Sequence, residues 1–284
     1  MLIDYHMHLQ PDGPEARARE ERRWEAHGGS RSFGWIGRYV HQAKARAIGE
    51  IAITEHIHRF TVARDWHDHP WWRAEATEDL GAHCDAVVHA QEAGFPVLLG
   101  IEMDWLPDRE DAIRSVLDAH PFDVVLGSVH WLGVLGIDDP DDPAATRLGD
   151  DTVWERYLEE WVRAVRSGLY DVMAHPDLPK VFGSRLPERL HDRVTEAIAV
   201  AADAGVAMEC SSAGLRKPVG EMYPDPDWLS RMHAQGVPVT LASDAHTPED
   251  VGRDYPTLVA AVRSAGYATV TRFSGRVASQ DPIA

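Results

Sequence analysis

Seven short apolar, β-branched runs alternate with longer amphipathic stretches along this chain, and few folds accept that alternation. The runs predict strands over 2–5, 50–54, 96–101, 123–128, 171–174, 206–209 and 238–241. Helical patterns lie between them, near 36–48, 77–93, 108–119, 151–167, 187–204, 225–235 and 248–265. The Ala-rich stretch 194–204 is a good helix, stopped by Gly205. Together these features predict a largely parallel sheet covered by helices. A length of 284 residues is ordinary for one α/β barrel, and no linker or internal repeat divides it. One domain spanning residues 1–284 is therefore expected. Two segments break the rhythm. Residues 10–35 are polar and read as a long loop with a short helix. Residues 59–76 hold Trp66, Trp71 and Trp72 beside His67 and His69. They read either as a lid over a barrel mouth or as a loop packed onto the body.

The residues at the end of each strand are more informative than the strands themselves. The first strand ends in His6-Met7-His8, the second in Glu55-His56 and the third in Glu102-Met103-Asp104. The fourth leads to His130 and the fifth to His175. The sixth ends at Glu209, before Ser211 and Ser212, and the seventh in Ser243-Asp244-Ala245-His246. In a parallel barrel every one of these emerges at one rim, where barrel enzymes place their chemistry. Imidazole and carboxylate without thiolate suit zinc, iron or manganese. So many donors exceed what one tetrahedral ion takes, and a cluster of two or three metals uses them better.

Each piece has an ordinary explanation. His-x-His arises by chance, a single His130 or His175 is commonly a hydrogen-bonded structural residue, and Glu102 suits a solvated strand end. Asp244 and His246 precede Thr247-Pro248-Glu249-Asp250, which reads as a helix start. None of these explains why all the pieces fall at the same end of successive strands.

Composition narrows the partners. The net charge of −18 disfavours a nucleic-acid surface, and a phosphate-bearing small molecule needs cations in its site. No apolar run is long enough to span a bilayer, so no membrane partner is expected. The start, Met1-Leu2-Ile3-Asp4, does not read as a signal peptide. Two cysteines, Cys84 and Cys210, do not form a disulfide framework and fit a cytoplasmic protein.

The strand-end motifs resemble those of the polymerase-and-histidinol-phosphatase (PHP) family. The resemblance rests on Asp4-Tyr5-His6-Met7-His8, Ile53-Thr54-Glu55-His56, Gly100-Ile101-Glu102, Gly127-Ser128-Val129-His130, Ala174-His175-Pro176 and Ala242-Ser243-Asp244-Ala245-His246. It implies a distorted seven-stranded TIM-like α/β barrel and three divalent metals. The implied ligands are His6, His8, His56, Glu102, His130, His175, Asp244 and His246. Many similar chains carry a further histidine where this one has Pro14, and Asp12 or Glu15 is the candidate replacement. Asp12 is favoured, because Pro11-Asp12-Gly13 is a turn that can swing it inward.

Two stretches, 122–130 and 209–218, resemble the histidinol-phosphatase branch. That narrower resemblance implies hydrolysis of L-histidinol phosphate to L-histidinol and phosphate, in histidine biosynthesis. Asp244, His130 and Arg216 are the candidate catalytic residues. Arg216, Lys217 and Lys180 are candidates for holding phosphate, and Glu209 for receiving a cationic amine. The alternatives are a phosphoesterase acting on a nucleotide or sugar phosphate, and a non-catalytic metal-binding barrel. An amidohydrolase-type enzyme also opens with His-x-His, but it typically bridges its metals with a mid-chain lysine, and none ends a strand here.

Overall fold

Parallel pairing carries the chain from each strand to the next without reordering. A computed structural model describes residues 1–283. Its main sheet runs β1 (Leu2–Asp4), β2 (Ile48–Ile53), β3 (Val97–Asp104), β4 (Val124–Ser128), β5 (Val172–Met173), β6 (Ala207–Ser211) and β7 (Val239–Ala242), in that spatial order. All six pairings are parallel. The sheet curls into a nearly closed barrel. Its seam is bridged by Tyr5 N–H to the Leu241 carbonyl at 3.0 Å and by His8 N–H to the Ala245 carbonyl at 2.7 Å. Beyond the strands, Met7 pairs with Ala245.

The strands are buried nearly throughout, which is why they read as continuous apolar runs. The seven expected helices are present with shifted ends. Asp79 caps Leu80–Glu92 and Asp225 caps Pro226–Ala234. Gly205 ends His191–Ala204 at φ 68°, a left-handed conformation that a side chain disfavours. The last predicted helix, 248–265, starts later, at Tyr255. β3 runs on to Asp104, so Glu102 lies inside a strand and not at its solvated tip.

The two interrupting segments are more ordered than their sequence suggests. Residues 14–25 form a helix with Pro14 in its first turn. In 59–76, Trp72 is completely buried and its indole N–H donates to the Ala63 carbonyl at 2.8 Å. This is the packed-loop alternative. Two hairpins carry no periodic signal of their own, Trp131–Leu132 with Leu135–Gly136 and Thr269–Ser274 with Val277–Pro282.

Candidate metal centre

The rim gathers its donors around one carboxylate. Glu102 Oε2 lies 2.5 Å from His56 Nδ1, 3.2 Å from His6 Nε2 and 3.6 Å from His8 Nε2. Its Oε1 lies 3.1 Å from His175 Nε2 and 3.5 Å from His130 Nε2. Asp244 Oδ1 stands 3.4 Å from His8 Nε2 and 3.8 Å from His6 Nε2. Asp12 Oδ2 stands 3.3 Å from His56 Nε2 and 3.4 Å from His246 Nε2. All nine residues proposed from sequence therefore meet at one end of the barrel. Asp12 is the carboxylate that reaches the cluster, whereas Glu15 is exposed on the first helix.

Local backbone explains the convergence. His6 and His8 stand two apart on extended chain, so they share a face. Their rings are 5.1 Å apart, and His8 stacks on His56 at 3.9 Å. His175 at φ 27° and Asp244 at φ 49° leave their strands in the sparsely populated left-handed region. Non-glycine residues held there concentrate at functional sites. Asp4 fixes the turn before Asp244. Its carboxylate accepts from the Ser243 amide at 2.8 Å, the Ser243 hydroxyl at 2.5 Å and the Gly252 amide at 2.9 Å.

A second set of carboxylates lies behind the histidines. His6 Nδ1 is 2.6 Å from Glu209, His130 Nδ1 is 2.8 Å from Asp104, and His8 Nδ1 is 3.3 Å from Glu55. Each carboxylate orients a ring so that Nε2 faces the cluster. Sequence reasoning left Glu55 and Asp104 without a role. A strand-end carboxylate carries no sign of whether it faces an ion or an imidazole.

Two expectations need correction. Glu209 is buried and committed to His6 and to the His175 amide, so it is not free to receive a substrate amine. Lys180 is buried, paired with Asp177 at 2.7 Å and donating to the Met222 carbonyl at 2.6 Å. Its charge is satisfied internally, and it is not among the residues lining the cavity beside Asp244. Arg216 and Lys217 do line an open cavity of 420 Å³ beside Asp244 and His246, together with Asp12, Asp250 and Arg253. Arg216 is held by the Ser243 carbonyl at 2.5 Å and the Ser212 carbonyl at 3.3 Å.

Carboxylates and imidazoles are densely placed at the centre. Burial opposes ionisation of Glu102, yet His6, His56 and His130 outweigh it and hold its pKa well below the usual range. Burial likewise opposes ionisation of Asp244, and His6, His8 and His246 outweigh it. Burial and the neighbouring His56 and His246 push His8 down to about 4, leaving a neutral imidazole. Among the described residues, His6 Nε2, both ring nitrogens of His8, His56 Nδ1, His58 Nε2 and Glu102 Oε2 are buried without a hydrogen bond. Native proteins seldom leave such atoms unpaired, and imidazoles and carboxylates that converge this way fit divalent cations. Triads of donor atoms lie within 4.8 Å of one another in His6/His8/Asp244, His6/Glu102/His175 and His8/His56/His246.

The PHP domain family model matches residues 30–213. The chain is 35% identical over 235 residues to a Deinococcus radiodurans protein named "Probable histidinol-phosphatase", spanning 82% of this chain and 88% of that one. Identity to the histidinol-phosphatase of Bacillus subtilis is 24% over 244 residues, spanning 78% and 90% of the two chains. A crystal structure of histidinol phosphate phosphatase from Lactococcus lactis, complexed with zinc, L-histidinol and phosphate, aligns with a TM-score of 0.75 over 98% of both chains. At 19% identity that likeness shows the shared fold alone. With the family model matched over more than half its length, the chain belongs to the PHP domain family.

Proposed function

We propose that this protein is a metal-dependent phosphomonoesterase that hydrolyses L-histidinol phosphate to L-histidinol and phosphate. One observation carries the reading: buried imidazoles and a carboxylate with unpaired donor atoms lie against Asp12, Asp244 and His246, and these three line a cavity together with Arg216 and Lys217. A cation cluster facing a guanidinium suits a phosphate ester and little else of this size. The Deinococcus relative's name supplies the substrate.

Three cations are proposed. His6, His8, Glu102 and Asp244 would hold one, Glu102, His130 and His175 a second, and Asp12, His56 and His246 a third. Zinc, manganese and iron all suit this donor set. When bound, such ions activate water near neutral pH and neutralise phosphoryl oxygens.

The remaining work falls to side chains of this chain. Arg216 offers its guanidinium fork to the phosphate, already oriented by two backbone carbonyls. Lys217 adds a point charge from the exposed wall. Glu209 and Asp104 keep the Nδ1 protons of His6 and His130 on their outer faces, and Glu55 stands behind Nδ1 of His8. Asp244, an ionised carboxylate at the boundary between cluster and cavity, is the candidate to take the proton released by the attacking water and pass it to the leaving alkoxide.

The whole of residues 1–284 acts as one unit in this reading. A reducing cytoplasm suits the two buried free cysteines. Among the described residues no helix is long and apolar enough to cross a membrane.

Phosphate release from L-histidinol phosphate, measured beside nucleotide and sugar phosphates and beside elemental analysis, tests the proposal. Preference for histidinol phosphate with bound metal is expected. Faster turnover of another ester overturns the substrate. No turnover of any ester with manganese, zinc or iron overturns the activity.

A further inference from the structure

We infer that His58 is an additional cation ligand on the outer side of this centre, acting with Asp12 and His56; the inference rests on reading the rim as a metal centre. His58 sits in the single turn Ile57–Arg59 that comes after β2. It is 3% exposed, and its Nε2 is buried without a hydrogen bond. That nitrogen lies 3.6 Å from Asp12 Oδ1. The separation is long for a hydrogen bond. It is close to the roughly 3.4 Å that separates two donors each about 2.1 Å from one tetrahedral ion. One donor atom each from Asp12, His56 and His58 lie within 4.8 Å of one another.

The surroundings of the ring point the same way. His58 stacks on His56 at 4.5 Å between centroids, with Trp71 4.7 Å away on its outer side. The packing fixes the ring plane. Its Nδ1 faces Asp104 Oδ2 at 3.8 Å, and the other oxygen of that carboxylate holds His130. Asp104 thus stands behind two imidazoles, and both turn Nε2 toward the cluster. Arg59 donates to Asp12 Oδ1 at 2.6 Å, which fixes the carboxylate while leaving Oδ2 directed at His56 and His246. Most buried imidazoles in an ordinary structural role complete their hydrogen bonds. His58 does not, and its open nitrogen faces a carboxylate already shared by two other imidazoles.

An added nitrogen donor makes this corner softer than Asp12, His56 and His246 alone, which favours zinc retention there. The test uses the full chain loaded with zinc and then dialysed. His58→Phe keeps the aromatic stacking and removes the donor, and His58→Gln keeps a polar group. Zinc per chain is read by elemental analysis, and zinc release by titration with a chromophoric chelator. Circular dichroism identifies variants that fold. The expected result is the loss of about one zinc equivalent, or release at chelator levels at least ~10-fold lower. Asp12→Asn is expected to release the same equivalent, with no further loss in the double variant. If wild type holds zinc and a folded His58 variant retains and releases it identically, the inference falls alone. If wild type holds none of zinc, manganese or iron, the metal-centre reading falls with it; if it holds manganese or iron but no zinc, the inference falls alone.

Discussion

His130 Nδ1 lies 2.8 Å from Asp104 Oδ1, and both groups are buried at the end of adjacent parallel strands. The pair determines which ring nitrogen faces the cluster. Burial alone lowers the pKa of an imidazole, but Asp104 and Glu102 reverse that and raise His130 to about 9. Asp104→Asn removes the charge while keeping the shape. Cation affinity is expected to fall about 10- to 100-fold, with kcat falling in step at limiting metal. Metal titration of the variant checks this, and unchanged affinity would leave Asp104 a merely structural residue.

Arg216 makes a different prediction, because it touches the cavity and none of the clustered donors. Arg216→Ala is expected to raise KM for the phosphate ester at least ~10-fold, the loss of one charge-assisted contact. Metal content is expected to stay at the wild-type level. Steady-state kinetics paired with elemental analysis separates the two effects.

Gly214 constrains the same loop through its backbone. A Cβ there would drive into the Glu221 carbonyl oxygen, which belongs to backbone and cannot swing away. Gly214→Ala is expected to cost about 1–3 kcal/mol of stability and to displace Arg216, raising KM as well. Urea midpoints and kinetics test the pair of effects. A variant as stable as wild type would show that the loop yields freely.

His83 provides a pH dependence outside the cluster. It is fully buried with both ring nitrogens unpaired, and burial pushes its pKa down to about 4. The unfolded chain, with a pKa near ~6.5, takes up the proton first as pH falls. Stability is therefore intact above about 6.5 and declines toward pH ~4, by on the order of 3 kcal/mol at most from this group. Between pH 7 and pH 5 the urea midpoint of wild type is expected to drop further than that of His83→Leu. Parallel curves would remove His83 as the cause.

Much of this molecule is legible in its sequence, for a definite reason. Buried parallel strands must be apolar along their whole length, so 96–101 and 123–128 announce themselves, and a barrel then sends every strand end to one rim. That is why His6, Glu102, His175 and Asp244 can be grouped although they lie far apart in the chain. The failures share a cause as well. Glu209, Lys180, Asp104 and His58 are polar residues whose roles depend on which neighbour their side chains meet. No periodicity encodes that Lys180 reaches Asp177 and the Met222 carbonyl while Arg216 reaches the cavity. The hairpin Thr269–Ser274 with Val277–Pro282 escapes because its outer strand is largely exposed and polar, so hydrophobic patterning is silent there.

The seam between β1 and β7 has a consequence for how the molecule is made. Asp4 must find Ser243, a partner 239 positions later in the chain. While the ribosome is still translating, β1 can lie along β2 but has nothing on its other side. Histidines 6 and 8 therefore wait for the last carboxylate of their cluster until nearly the entire polypeptide has emerged.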